Sequence, residues 1–203
     1  FCFDNQLTSI DVSQNTALTW LNCNNNQLTN LNLSFNTGLL SLTCHYNQLT
    51  SLDVSNNLAL IYLQCYNNQL TSLDVSTNIA LTYLKCSSNQ LTGLDVSGAT
   101  DLTELYCNDN QLTSLDLSSH TLLNLYINTS TNINLFCIDV DNPTLAQSLL
   151  TSSFIDPWTS FDTNCVTAVG CTDSTACNYI PNANLDDGSC LILYGCTDSL
   201  ACN

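Results

Sequence analysis

Positively charged side chains are nearly absent from this sequence. Lysine and arginine together occur once in 203 residues, against 17 aspartates and glutamates, so the formal net charge is −16. Nucleic acids and anionic membrane surfaces bind proteins through clusters of cationic side chains. The composition therefore argues against both as partners, and it suits divalent cations instead.

Long apolar runs and catalytic motifs are missing as well. No stretch approaches the roughly 18–20 apolar residues that a bilayer-spanning helix needs, so we expect no membrane insertion. The motifs H-E-x-x-H and G-x-S-x-G do not occur, there is no glycine-rich phosphate loop, and the two histidines are His45 and His120. We therefore predict that the chain is not an enzyme.

The dominant feature of the sequence is a strict repeat of 21 residues. The motif Asn-Gln-Leu-Thr starts at Asn5, Asn26, Asn47, Asn68, Asn89 and Asn110. Cysteine recurs with the same period at Cys2, Cys23, Cys44, Cys65, Cys86 and Cys107. Each unit reads L-x-x-L-x-C-x-x-N-Q-L-T-x-L-D-V-S, which matches the leucine-rich-repeat signature with cysteine in the third apolar position. The pattern predicts a mainly β leucine-rich-repeat solenoid of 21-residue coils over residues 1–132.

The spacing within one unit predicts how the coils pack. Leu21 and Cys23 are two residues apart, so both side chains lie on the inner side of a short strand. Asn26 can then bond turn backbone, and the same bond repeats in every coil as an asparagine ladder. The cysteines form one buried column, which plain apolar packing explains better than a metal wire or ladder disulfides. A seventh, shorter coil carries Ile127 in the cysteine position, in line with a packing role.

A different pattern begins after the repeats, and we interpret residues 133–165 as a cap for the exposed end of the solenoid. The pair Asn142-Pro143 indicates a helix start, followed by a short helix to residue 150. Trp158 and Phe161 offer bulk to cover the last coil. A disulfide between Cys137 and Cys165 would staple this cap and contribute about 3–4 kcal/mol in the chain-entropy model.

Small cysteine-rich modules follow the cap. After a linker at 166–169, one unit occupies residues 170–194, and its opening motif Gly-Cys-Thr-Asp-Ser returns at 195–203. A unit of 25 residues cannot bury a useful core, so we expect disulfides to hold it together. Disulfides indicate an oxidising, extracellular compartment. Both ends of the sequence fall inside a motif and look like cuts.

Taken together, these motifs resemble those of secreted surface proteins of Bacteroidota. The repeats are similar to L-T-x-L-x-C-x-x-N-Q-L-T-S-L-D-V-S units of those proteins. The segment from Cys137 to Cys165 resembles the cap that follows these units there. Residues 170–190 resemble a G-C-T-D-x-x-A-x-N-Y-x-P-x-A-x-x-D-D-G-S-C array in the same proteins. The resemblance implies export to the cell surface by the type IX secretion machinery, with a sorting domain beyond residue 203. It also implies that these modules have no enzymatic activity.

The same resemblance makes predictions about single residues in the cysteine-rich modules. It implies a disulfide between Cys171 and Cys190, with Cys177 free or variably paired. It also implies O-glycans at Ser174 and Ser199, where Asp-Ser is followed by Thr and by Leu.

Two acidic patterns are candidate ion sites. The first is a loop ahead of Gly188 that alternates Asn and Asp, as calcium ligands do, although its spacing is not that of an EF-hand and an ion-free Asx turn explains it equally well. Its candidate calcium ligands are Asp173, Asn182, Asn184, Asp186 and Asp187.

The second acidic pattern is a column of aspartates with the repeat period, for which turn capping or solvation is a better explanation than an ion ladder. That column consists of Asp11, Asp53, Asp74, Asp95 and Asp116, with Asn32 interrupting it.

Aromatic residues occupy outward positions of the predicted strands. These candidate binding-face residues are Trp20, Tyr62, Tyr66, Tyr83, Tyr106 and Tyr126, with His45, Tyr46, Lys85 and Glu104 nearby. Exposed aromatics suit protein or glycan contacts, although tyrosine also simply favours strands. We therefore interpret the chain as a non-catalytic, extracellular adhesion or ligand-display protein on a cysteine-rich stalk. The alternatives are a glycan-binding arm of a secreted polysaccharide-degrading enzyme and a structural filament or coat subunit.

Overall fold

The computed structural model describes residues 2–150, 154–165, 171–177, 179, 186 and 188–191. The chain divides into two compact units, residues 1–163 and 164–203. Within the described ranges, no helix is both long enough and apolar enough to cross a membrane.

The first unit is a solenoid whose coils each contribute one short strand to a parallel, six-stranded sheet. The strands, in order across the sheet, are β1 Trp20–Asn22, β2 Ser41–Thr43, β3 Tyr62–Gln64, β4 Tyr83–Lys85, β5 Glu104–Tyr106 and β7 Tyr126–Asn128. Leu21 lies opposite Leu42, which lies opposite Leu63, and the register continues without a slip. A slip of one residue would turn every buried leucine toward solvent, so burial of one face specifies this register.

A second sheet lies in the same unit. It is parallel and three-stranded, and it consists of β6 Leu115–Asp116, β8 Cys137–Asp139 and β9 Ser160–Asp162. A 3₁₀ helix at Leu122–Asn124 precedes β7. The seventh coil is therefore part of the solenoid, but Ile127 lies opposite Leu105 and is buried in the leucine position, so its predicted place in the cysteine column is wrong. Thr129 takes the cysteine position, because Asn132 bonds its carbonyl as Asn110 bonds that of Cys107, and the coil is one residue longer than the others instead of shorter.

The core between the coil walls is made of stacked leucine columns and one cysteine column. Five cysteines of this column are fully buried free thiols: Cys23, Cys44, Cys65, Cys86 and Cys107. Burial raises the pKa of Cys65 and Cys107 to about 12, so the thiolate that metals and oxidants require is strongly disfavoured. The packing interpretation of the column is confirmed, and the alternative of ladder disulfides is wrong.

The predicted asparagine ladder runs beside the cysteine column. Asn47 is typical: its side-chain amide donates to the carbonyl oxygens of Cys23 and Cys44 at 3.0 Å, and its Oδ1 accepts the backbone N–H of Leu28 at 2.9 Å. Each ladder residue follows a residue with positive φ, such as Tyr46 at 51°. The left-handed residue turns the chain so that the amide faces the backbone of the preceding coil.

A second asparagine ladder lies along the other side of the coils, and the repeat analysis did not recognise it. Asn36, Asn57 and Asn78 are completely buried, and each donates to two backbone carbonyls of the preceding coil. Ala99 and then His120 take the same position in later coils. The 21-residue spacing of these asparagines was visible in the sequence, but nothing in it told a buried amide from a surface turn residue.

The cap follows the last coil. Helix α1 spans Pro143–Leu149, and the side chain of Asn142 caps it by accepting the N–H of Leu145, which confirms the predicted start. Phe161 packs against the core as expected. The prediction for Trp158 is wrong, because its side chain remains 47% exposed and leaves the last coil to other residues.

Disulfides occur at both predicted positions near the C-terminus. One joins Cys137 to Cys165. The other joins Cys171 to Cys190 with a Cα–Cα distance of 4.8 Å, which lies within the ordinary range for a disulfide. Cys177 is also disulfide-bonded, so of the two alternatives expected for it, free or paired, the structure has the paired one.

Candidate functional site

The outward face of the six-stranded sheet collects most of the predicted binding residues. In strands β2 to β5 and β7 the middle residue is fully buried while the first and third point outward and are half-buried. We call this outward surface the strand face. Because equivalent positions of neighbouring coils lie side by side, aromatic residues at these positions contact one another across the sheet.

The tyrosines of the strand face form two groups that the Lys85 side chain joins, and we call them together the tyrosine cluster. Its members are Tyr46, Tyr62, Tyr66, Tyr83, Tyr106 and Tyr126. The rings of Tyr62 and Tyr83 stack with centroids 4.4 Å apart at 18°. Tyr83 contacts Tyr106 at 5.7 Å, and Tyr106 contacts Tyr126 at 5.2 Å. Stacking turns ring faces toward neighbouring coils, so what these rings offer to solvent is mainly edges and hydroxyls.

A second part of the cluster surrounds Tyr66. The imidazole of His45 stacks on the Tyr66 ring at 4.2 Å and 10°, and Tyr46 meets it edge-on at 5.4 Å. The ammonium of Lys85 lies 4.3 Å from the centroid of the same ring. His45 comes from the preceding coil and Lys85 from the following one, so they cover opposite faces of Tyr66. Burial and the nearby Lys85 both lower the pKa of His45, which keeps this imidazole neutral at neutral pH.

Hydrogen bonds hold the polar groups of the strand face in place. The Tyr106 hydroxyl donates to the Glu104 carboxylate at 2.8 Å, and the Gln64 side chain donates to the Tyr62 hydroxyl. Burial and the bond to Glu104 raise the pKa of Tyr106, so the hydroxyl stays protonated and the bond persists. The surface is therefore a set of fixed rings and hydroxyls.

Trp20 lies on the strand face but outside the tyrosine cluster. In the register of the sheet Ser41 separates it from Tyr62, and the indole is 64% exposed. The structure therefore brings five of the six predicted binding residues together and leaves Trp20 apart.

An apolar patch borders the strand face, and the sequence analysis missed it. Leu58, Ile61 and Ile79 are all exposed, and Ile79 reaches 65%. Ile61 immediately precedes Tyr62, so the patch adjoins the tyrosine cluster. Leu58 and Ile79 occupy the turn position that Thr16, Thr37 and Thr100 fill in other coils, and that contrast between coils was the available signal.

The aspartate column is made of turn caps. Asp53 Oδ1 accepts the backbone N–H of Ser55 at 2.9 Å, and the equivalent bond recurs from Asp11 to Asp116 and at Asn32. Hydrogen bonding from Ser55 lowers the pKa of Asp53. The turn-capping explanation accounts for every member of the column.

The candidate calcium loop is described only in part. Asp173 accepts from the backbone and side chain of Thr175, and Asp186 accepts the N–H of Gly188 at 3.0 Å. Asn182, Asn184 and Asp187 lie outside the described residues, as does Ser199. Ser174 is exposed. Calcium binding and glycosylation stay predictions.

One pair of side chains has the composition of a catalytic dyad, namely Ser119 and His120. Their Oγ and Nδ1 atoms are 3.4 Å apart. The imidazole is buried, however, and its Nε2 bonds the carbonyl of Ala99 at 3.1 Å, while the Ser119 hydroxyl donates to Ser97. Because the Ser119 hydroxyl is directed to a backbone carbonyl instead of the imidazole, and His120 is only 7% exposed, the contacts of this pair are those of core packing.

Comparison with solved structures gives one consistent result. The functional domain of InlJ from Listeria monocytogenes, which includes a cysteine ladder, matches with a TM-score of 0.58 at 36% identity, covering 66% of this chain and 32% of that one. An internalin, InlF, from the same organism matches at 0.57 and 24% identity, covering 72% and 44%. The leucine-rich-repeat domain of APL1B matches at 0.50 and 22% identity, covering 66% and 39%. The sequence itself matches no protein-family model and no curated protein.

The fold is a leucine-rich-repeat solenoid. This chain spans about a third of the InlJ domain and less than half of the other two structures. The InlF and APL1B matches show the fold alone. In leucine-rich-repeat solenoids the strand side forms an extended surface built from one set of positions per coil, which is the surface that carries the tyrosine cluster here.

Proposed function

We propose that this leucine-rich-repeat chain is a non-catalytic binding module of an extracellular or cell-surface protein, and that the tyrosine cluster contacts a protein ligand. The observation that carries the proposal is the cluster itself: fixed aromatic rings, joined coil to coil, on the outward face of a rigid sheet. Tyrosine is enriched in protein interfaces because it offers large contact area with little rotamer entropy to lose.

The geometry favours a protein over a glycan as the ligand. Sugars bind aromatic residues by lying flat on an open ring face. In this cluster Tyr62 and Tyr83 cover each other, and Tyr66 is covered by His45 on one side and Lys85 on the other. The ring edges and hydroxyls that remain suit the irregular surface of a protein, and the adjoining apolar patch enlarges the contact area.

The extracellular location is supported by chemistry as well as by fold. Disulfides persist in oxidising compartments, and the chain has two at predicted positions. Export by the type IX route and a source in the Bacteroidota are part of the proposal and are supported by the motif resemblance of the repeats, cap and cysteine-rich modules.

The proposal is tested by screening the chain against an array of extracellular proteins and, in parallel, a glycan array. The binder found is then titrated against a triple variant, Tyr62→Ser, Tyr83→Ser, Tyr106→Ser. We expect at least a tenfold loss of affinity, because buried interface tyrosines each contribute about 1–2 kcal/mol or more.

A matched control is available on the same three coils. The triple variant Gln69→Ser, Gln90→Ser, Gln111→Ser changes one exposed column away from the strand face and should leave binding unchanged. Equal binding by the tyrosine variant and wild type would contradict the proposal. Glycan binding that depends on Trp20, with no protein bound, would favour the glycan-binding alternative.

A further inference from the structure

The sole basic side chain of the chain, Lys85, lies within the binding surface proposed above. It is the third residue of β4, and it is half-buried among rings of the tyrosine cluster. A chain with 17 acidic residues offers many places where one lysine could be paired on the surface. Lys85 instead lies among the aromatic rings, in contact with Tyr66 and Tyr106.

Those contacts are with aromatic rings and not with carboxylates. The ammonium lies 4.3 Å from the Tyr66 centroid and 5.6 Å from that of Tyr106. It forms no salt bridge with any residue that the structure describes. Glu104, the acid on the same face, is already engaged by the Tyr106 hydroxyl. With His45 neutral, Lys85 is the one cation on the strand face, and its charge is held by cation–π contact alone.

Docking of a ligand on the tyrosine cluster would remove water from this ammonium. A cation that loses its water without gaining an anion or strong acceptors is unfavourable, and cation–π contact compensates only in part. No described carboxylate forms a salt bridge with this ammonium, so an anion from the ligand would compensate its lost water. A carboxylate is the group that meets this demand in a protein ligand.

The charge of the whole chain restricts the ligand further. A net charge of −16 repels acidic ligands at long range and favours neutral or basic ones. A single carboxylate placed against Lys85 is compatible with that field, whereas a generally acidic surface is not.

We propose that Lys85 is the anchor for one aspartate or glutamate side chain of the protein ligand, and that the rest of the ligand's contact surface is apolar or basic. This inference rests on the proposed function, because it assigns a partner group to the same surface. The apolar patch of Leu58, Ile61 and Ile79 beside the cluster receives the ligand's apolar side chains.

The test uses a displayed library of random 12-residue peptides selected against the whole chain. We expect the selected peptides to share one acidic position. Each should lose at least tenfold in affinity toward Lys85→Met and retain most of its affinity toward Lys85→Arg, which keeps the charge. Circular dichroism verifies that both variants fold.

A double-mutant cycle isolates the contact. Replacing the shared acid of the peptide by its amide should cost the same tenfold against wild type and nothing further against Lys85→Met. Additive losses would overturn the inference, because they would mean that the two groups do not meet.

The other outcomes separate the two proposals. Peptides that lose affinity toward Tyr83→Ser but not toward Lys85→Met would refute the role of Lys85 and leave the binding surface intact. Peptides indifferent to both changes, or no enrichment at all, would refute both proposals. If a polyuronate binds and loses affinity toward Lys85→Met, while no peptide binds, the carboxylate that Lys85 recognises belongs to a sugar. That result would contradict the proposal of a protein ligand.

Discussion

Replacing one residue of the asparagine ladder, Asn68→Ala, tests whether side-chain amides hold neighbouring coils together. The Asn68 amide donates to the carbonyls of Cys44 at 3.1 Å and Cys65 at 3.0 Å, and its Oδ1 accepts the N–H of Leu49 at 2.9 Å. In the variant each carbonyl keeps a second donor from the asparagine of an adjoining coil. The buried N–H of Leu49 has no other acceptor, so it becomes the main source of destabilisation.

The magnitude follows from these partners. A buried N–H left without an acceptor costs about 1–3 kcal/mol, and each weakened carbonyl bond adds about 0.5–1.5 kcal/mol at most. We therefore expect a loss of about 2–6 kcal/mol in the free energy of unfolding. Urea unfolding followed by circular dichroism measures it, as a lower midpoint with an unchanged slope.

The neighbouring residue provides the control. Gln69→Ala removes an exposed side chain from the same coil and should change the free energy of unfolding by less than about 0.5 kcal/mol. If the two variants unfold at the same urea concentration, the ladder does not stabilise the stack and the reasoning is refuted.

Three further predictions concern packing, thiols and pH. Gly98→Ala should lower the free energy of unfolding, measured in urea, by about 1–3 kcal/mol, because the added Cβ would lie 1.6 Å from the Ser76 carbonyl oxygen. Gly93→Ala is the control and should leave the free energy of unfolding nearly unchanged, because the space around Gly93 is open. Pulse alkylation at pH 8 followed by mass spectrometry should leave Cys23, Cys44, Cys65, Cys86 and Cys107 unlabelled until urea unfolds the chain; labelling in the native protein would contradict their burial. Burial lowers the pKa of His120 below its ordinary 6.5, so the unfolded chain binds a proton at this imidazole more tightly than the folded chain does. The stability of the folded state is therefore full above about pH 6.5, and it falls as the pH drops toward the pKa of His120 in the folded state. In His120→Asn, which restores the residue of the equivalent position Asn78, this part of the pH dependence should disappear from urea midpoints measured between pH 7 and 5, and an unchanged profile would refute it.

The fold was predictable because the same 21-residue pattern specifies the buried side of the strands, the core positions and the turns. Leu21 and its equivalents set the buried side of the strands, Cys23 and its equivalents fill the same position in six successive coils, and Asn26 and its equivalents lie at the turn. A period that repeats in exact register leaves a single way to bury all apolar columns at once, which is stacking. The helix start at Asn142-Pro143 was equally readable, because capping depends on adjacent residues.

What the sequence did not reveal depends on distances between coils. Asn36 and Asn26 both recur every 21 residues, and only the path of the backbone shows that both face inward. Trp158 is apolar enough to cover the last coil, yet its position in a turn keeps it half-exposed. The stacking of His45 and Lys85 on opposite faces of Tyr66 needs three neighbouring coils in register, and no pattern within one coil encodes it.

The central claim is that 21-residue units stack in register and present the tyrosine cluster on one side of a reduced thiol column. A crystal structure of the chain tests it most directly. We predict that Leu42 lies opposite Leu21 and Leu63, that the column cysteines are unbonded, and that the Tyr62 and Tyr83 rings stack on the outer face. A register slip between coils, or a disulfide within the column, would contradict this account.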